Sequence, residues 1–130
     1  SLIKQMKKSE ELTYCDKKNK KLDLVIAASY GGRWDIVNAI NEIKDSGKNN
    51  ITEQEFSSFL STAKFEDPDL CIRTGNEIRV SNFLLWQLAY SELYFPEILW
   101  PDFDDDQFDN ALKEYSNRSR RFGDKSNFQL

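Results

Sequence analysis

The sequence predicts an α/β fold, a portion of a mainly parallel sheet flanked by helices, and three observations carry that expectation. Short apolar runs of strand length occur at Leu22 to Ala28, Leu70 to Ile72 and Leu93 to Phe95. Between them lie segments whose apolar residues recur at helical spacing. Glycine-rich or polar turns separate the two kinds, as alternating strand and helix units require. About three strands make a small sheet, so the sequence expects more of it to come from elsewhere.

The first segment places Leu2, Ile3 and Met6 on one helical face with no N-cap residue ahead of them, an opening in mid-helix that predicts a truncated chain. A lysine-rich turn over Asp16 to Lys21 leads into Leu22-Asp23-Leu24-Val25-Ile26-Ala27-Ala28, the pattern of a buried parallel strand that Gly31-Gly32 ends. From Arg33 the positions Ile36, Val37, Ile40 and Ile43 predict a helix, closed by Ser46-Gly47-Lys48-Asn49-Asn50. Thr52 with Glu55 forms a capping box for a short helix that turns Phe56, Phe59 and Leu60 inward. After Pro68 come the strand Leu70 to Ile72, a polar loop from Arg73 to Ser81, and an apolar helix from Asn82 to about Tyr90. A strand at Leu93 to Phe95 follows, and beyond Pro101 an amphipathic helix runs from Asp104 to about Arg118 through Phe108, Leu112 and Tyr115. Acid at its start and Arg118, Arg120 and Arg121 at its end complement the helix dipole.

Composition removes several function classes. A net charge of -4 and a pI near 4.9 leave no field to attract a nucleic-acid backbone, so nucleic acid is not an expected partner. Cys15 and Cys71 lack CxxC spacing and suit a reducing cytoplasm as buried or half-buried thiols. No apolar run approaches the ~18 residues of a membrane span. Histidine is absent, which excludes Ser-His-Asp and Cys-His systems and histidine zinc sites. Chemistry must rest on carboxylates, arginines, hydroxyls and backbone amides.

Those groups gather after the second strand. Arg73 directly follows Ile72, where open α/β sheets place ligands. Arg79 comes six residues on, and Ser81 stands just ahead of the expected helix. Two guanidinium forks and a hydroxyl near free helix amides suit a diphosphate. The same residues also fit a plainer reading, in which Ser81 only caps the helix and the arginines pair with Glu77 or Asp69. Glu92, with Glu77, could lend oxygen to Mg2+, which takes one or two carboxylates plus substrate phosphates, or it could simply be solvated. Ser29-Tyr30-Gly31-Gly32-Arg33 has the glycines of a tight turn with amides open to an anion. The apolar set from Phe83 to Tyr90 reads as core or as a subunit interface.

Taken together, Ala27-Ala28-Ser29-Tyr30-Gly31-Gly32-Arg33, Asp69 to Gly75, Arg79 to Phe95, Leu99-Trp100-Pro101-Asp102-Phe103 and Arg118-Ser119-Arg120-Arg121-Phe122-Gly123 resemble, in order and spacing, cis-prenyltransferases of the undecaprenyl diphosphate synthase type. Residues 67 to 103 resemble that family's diphosphate-binding block. The resemblance implies that 1–123 is the C-terminal half of such a domain, its N-terminal half absent, and that 124–130 is a tail. It implies an undecaprenyl diphosphate synthase-like fold and a transferase that condenses isopentenyl diphosphate onto an allylic diphosphate, such as farnesyl diphosphate, with cis geometry. The product would be a polyprenyl (undecaprenyl) diphosphate lipid carrier, and Mg2+ the cofactor.

By the same resemblance Arg73, Arg79 and Ser81 hold isopentenyl diphosphate, as do Arg121 and Gly123 of an RxG motif that reaches across a homodimer interface. Glu92 is tied to the metal, and Leu22 stands at the floor of the tunnel that limits product length, although a strand core residue would look the same. The setting implied is cytoplasmic, peripheral at the membrane into which the product partitions. Asn76 stands where Gly is usual, Ile78 where a polar residue is common and Ser29 where Asn is usual. The family's metal-binding aspartate, allylic-phosphate arginines and most of the tunnel are absent from these 130 residues, so the chain alone is expected to be inactive. Two other readings are a non-catalytic partner subunit of a cis-prenyltransferase complex and a phosphate-binding domain without enzymology.

Overall fold

The computed structural model describes residues 2–14, 19 and 21–118. In chain order these form α1 (Leu2–Thr13), α2 (Gly32–Asp45), α3 (Glu53–Ser57), β1 (Leu70–Ile72), β2 (Glu92–Tyr94), a single 3-10 turn (Trp100–Asp102) and α4 (Asp105–Asn117). β1 and β2 pair in parallel, Leu70 opposite Glu92, Cys71 opposite Leu93 and Ile72 opposite Tyr94. The α/β class and two of the expected strands are therefore present, with β2 starting one residue earlier than the apolar run suggests.

Helix ends follow the local chemistry. Thr52 and Glu55 form the capping box: the Glu55 amide donates to the Thr52 hydroxyl at 3.2 Å, and the Thr52 amide donates to the Glu55 carboxylate at 3.0 Å. Asp104 caps α4 by accepting from the Gln107 amide at 3.0 Å. The inward faces of α2 and α3 meet in a small core of Ala39, Ile43, Phe56 and Leu60, with Ile36, Ile51, Phe59 and Trp86 packed on it. The Phe56 and Trp86 rings lie 4.5 Å apart, and the Trp86 indole donates to the Ser57 hydroxyl at 2.9 Å. That bond lets a large aromatic enter the core without an unsatisfied N–H.

Two expectations are corrected. Residues 22–28 form no strand among the described residues, and Leu22, Leu24 and Ile26 are 81 %, 81 % and 74 % exposed. A parallel strand needs a neighbouring ladder to satisfy its backbone, and no described segment supplies one here. Residues 82–90 form no regular helix but a chain of turns, and Ser81, Asn82 and Leu84 have φ of 47°, 63° and 43°. The apolar pattern there reports burial, not helical winding: Leu84, Leu85 and Trp86 are half-buried and Gln87 is buried.

Two positions noted in the sequence lie in the left-handed region. Asn76 has φ 57° and Ser29 φ 56°. Asn at position 76 suits that conformation well, whereas Ser at position 29 fits it less well. Ser29→Asn is expected to raise stability by about 0.5 kcal/mol in chemical denaturation, and a loss of stability would contradict this geometry.

Candidate functional site

Arg73 continues the ladder one step beyond β1, its amide donating to the Tyr94 carbonyl at 2.9 Å. Its side chain therefore starts at the carboxyl end of a parallel strand. The loop that follows is held by the Gly75 amide on the Ile98 carbonyl at 2.7 Å, and Gly75 (φ 93°) with Asn76 turns the chain back. This return brings three of the expected residues together. Arg73 Nη1 donates to the Ser81 hydroxyl at 2.6 Å and to the Arg79 carbonyl at 2.5 Å, while Arg79 Nε donates to the same hydroxyl at 3.1 Å.

Ser81 thus accepts from both guanidinium groups, which leaves its own proton to donate to an incoming oxygen. With no helix at Asn82, it caps nothing. Part of the plainer reading holds as well: Arg79 Nη1 lies 2.7 Å from Glu77 Oε2, with the two side chains 63 % and 41 % exposed. A pair that exposed holds little energy and yields readily to a multivalent anion. Two guanidinium forks and a hydroxyl at a strand end are equipped to bind a diphosphate bidentately.

The remaining expected residues lie apart from this cluster. Glu92 opens β2 opposite Leu70, so it sits at the other end of the two-stranded sheet from Arg73, about 10 Å along the strand direction. Its carboxylate receives Arg118 Nη1 at 2.9 Å; the same nitrogen donates to the Leu93 carbonyl at 2.9 Å, and Arg118 Nη2 reaches Glu114. Hydrogen bonds to Glu114 and Glu92 push the Arg118 pKa up, which keeps it charged. Among the described residues no group of three or more Cys, Asp or Glu side chains comes together to hold a metal ion, so these residues do not form a metal site by themselves. Leu22 lines an open concavity of about 620 Å³ between α1 and residues 22–26, where Met6, Leu24 and Ile26 alternate with Glu10, Thr13 and Asp23. Arg121 and Gly123 lie outside the described residues. Cys71 is half-buried and burial raises its thiol pKa; Cys15 is outside the described residues.

Three residues to which sequence reasoning gave no side-chain partner hold the surrounding structure together. Arg118, read from the sequence only as a cation complementing the dipole of α4, is the first. Asp35, only 1 % exposed in the first turn of α2, accepts from the Tyr30 hydroxyl at 2.9 Å and from the Ser61 amide at 2.9 Å. Asn82 is the third: its backbone carbonyl accepts from the Gly32 amide at 2.7 Å and its side-chain oxygen from the Arg33 amide at 2.9 Å. Of the amides in this turn that looked open to an anion, those of Gly32 and Arg33 are therefore occupied from within the chain. The glycines serve close approach instead, because a Cβ on Gly32 would lie 2.9 Å from the Leu85 amide nitrogen.

Burial, and then the neighbouring Asp35, push Tyr30 from 10.0 up to about 12. A raised folded-state value means that the hydroxyl's contribution is complete below the unfolded value and is lost as pH climbs through the folded one. Stability should fall between about pH 10 and 12, and Tyr30→Phe should flatten that part of the alkaline denaturation profile.

The chain is similar to known proteins over most of its length. Residues 1–123 match the prenyltransferase family model described as "Putative undecaprenyl diphosphate synthase". An isoprenyl transferase of Fusobacterium nucleatum subsp. nucleatum is 53 % identical over 126 residues, covering 97 % of this chain and 53 % of that protein. A ditrans,polycis-undecaprenyl-diphosphate synthase of Wigglesworthia glossinidia brevipalpis, specific for (2E,6E)-farnesyl diphosphate, is 49 % identical over 128 residues, covering 94 % of this chain and 48 % of the relative. Lavandulyl diphosphate synthase from Lavandula x intermedia, crystallised with dimethylallyl diphosphate, superposes with a TM-score of 0.85 at 37 % identity, over 95 % of this chain and 54 % of that structure. The chain spans about half the length of the curated relatives it matches. By the match of its first 123 residues, it belongs to the undecaprenyl diphosphate synthase family of prenyltransferases.

Proposed function

We propose that this chain supplies the isopentenyl-diphosphate side of an enzyme that lengthens an allylic diphosphate in cis units toward an undecaprenyl diphosphate lipid carrier. The observation that supports this reading most is the meeting of Arg73, Arg79 and Ser81 at the carboxyl end of β1. Each group has a task in condensation. The guanidinium groups neutralise and orient the diphosphate of the nucleophilic substrate, and Ser81 donates its proton to a phosphate oxygen. Fixing that end in place presents the isopentenyl double bond to the allylic carbon, whose diphosphate departs with the electron pair of the broken C–O bond while the isopentenyl unit gives up a proton. Orientation of this kind contributes by lowering the entropy of encounter.

The same reading puts Leu22 at the floor of the product tunnel, and gives a homodimer whose RxG residues Arg121 and Gly123 complete a partner's phosphate site. Mg2+, when bound, would shield charge on the diphosphates, with Glu92 the carboxylate this chain could lend once released by Arg118. The farnesyl starter follows the Wigglesworthia relative's name. The setting is cytoplasmic and peripheral to the membrane that takes up the product.

Calorimetric titration of the 130-residue chain with isopentenyl diphosphate should show binding, while incorporation of labelled isopentenyl diphosphate by the chain alone should be absent. Failure to bind removes the proposed role, and turnover by the chain alone would refute its dependence on further residues.

A further inference from the structure

We infer that Asn82 is a positioning residue for the isopentenyl-diphosphate site: it clamps the loop that carries Ser81 onto the first turn of α2, and thereby fixes where the Ser81 hydroxyl meets Arg73 and Arg79. The inference rests on the proposed reading of that cluster as a diphosphate site.

Four observations support the clamp. Gly31, the N-cap of α2, makes no side-chain cap bond, so the helix starts without the oxygen that Ser, Thr, Asp or Asn would supply. Asn82 supplies it from 49 residues downstream, with its carbonyl on the Gly32 amide and its side-chain oxygen on the Arg33 amide. These amides are among the first-turn donors that have no partner inside a helix. Contact is as close as glycine permits: an added Cβ would lie 3.0 Å from Asn82 Nδ2 at Gly31, and 2.7 Å from Leu85 Cγ at Gly32.

Ser81 and Asn82 also both occupy the left-handed region, at φ 47° and 63°. Asn visits that region with ease and Ser does so at a cost, so surrounding contacts must hold Ser81 in place. On one side those contacts are the two guanidinium groups. On the other is its covalent neighbour, bonded twice to α2. Removing the Asn82 side chain would free Ser81 to relax, and the arginines would lose the shared acceptor that keeps their forks together.

The test uses Asn82→Gly, which keeps the left-handed backbone and the carbonyl but deletes the side-chain oxygen. Titration with isopentenyl diphosphate should show about tenfold weaker binding, with the melting temperature lowered by only the few degrees that loss of one capping bond costs. In a Ser81→Ala background the same change should add less than about twofold, because the clamp acts through the hydroxyl already removed. Gly31→Ala, which displaces the Asn82 amide while leaving α2 intact, should weaken binding about threefold and covers the case in which Asn82→Gly does not fold. Unchanged affinity in a folded Asn82→Gly, or in Gly31→Ala where that variant stands in for it, overturns the clamp. So does a loss fully additive with Ser81→Ala. A parent chain that does not bind isopentenyl diphosphate overturns the underlying reading as well, whereas a parent that binds and loses affinity in Arg73→Ala leaves only the clamp in question.

Discussion

Arg73→Ala is expected to weaken isopentenyl diphosphate binding by at least about a hundredfold, the largest loss for any single side chain of the cluster. The residue has two tasks. Its guanidinium lies at the strand end to meet the diphosphate, and its Nη1 holds the Ser81 hydroxyl and the Arg79 carbonyl. Truncation therefore removes a charge-assisted contact and also lets the loop that carries the other two ligands drift. Arg79→Ala should cost less, about tenfold, because that side chain is more exposed and partly neutralised by Glu77. Calorimetry with isopentenyl diphosphate, or stabilisation of the melting temperature by inorganic diphosphate, measures both. Equal losses for the two variants would refute the organising role given to Arg73.

Asp35→Ala should have the largest effect on stability, about 3 kcal/mol or more. The carboxylate is almost fully buried, and its two oxygens satisfy the Tyr30 hydroxyl and the Ser61 amide separately. Alanine would leave both donors without a partner and open a void between the start of α2 and the turn after α3. Asp35→Asn keeps an acceptor for Ser61 and should cost roughly half as much, since only the Tyr30 contact must rearrange. Loss of this size is a large share of the ~5–15 kcal/mol that holds a domain together. Urea titration measures it, and a cost below about 1 kcal/mol for the alanine variant would show that the buried carboxylate is not the link described.

What could be read from the sequence was local. The capping box at Thr52 and Glu55, the strand at Leu70 to Ile72 and the helix after Asp104 are each specified within a few residues, and the structure has them in place. Arg73, Arg79 and Ser81 were legible because position after a strand and short spacing suffice to bring them together. Asp35, Arg118 and Asn82 were not, because their partners lie 26, 26 and 49 residues away. The helix expected over residues 82–90 failed for the same reason: contacts with α2 and the core decide that backbone, and apolar spacing reports only that it is buried. The strand at 22–28 failed because an apolar run specifies a strand only where a neighbour offers a ladder.

A helix whose start signal comes from a distant residue has a consequence for the order of folding. The first-turn amides of a helix have no partner within it, and those of Gly32 and Arg33 in α2 find theirs only after the chain has closed a loop of 49 residues to Asn82. Completion of the first turn of α2 and assembly of the anion loop thus become one event in time. A perturbation at Asn82 should slow folding as well as weaken the folded chain, and in a growing polypeptide α2 would stay frayed at its first turn until residues 81–85 had emerged.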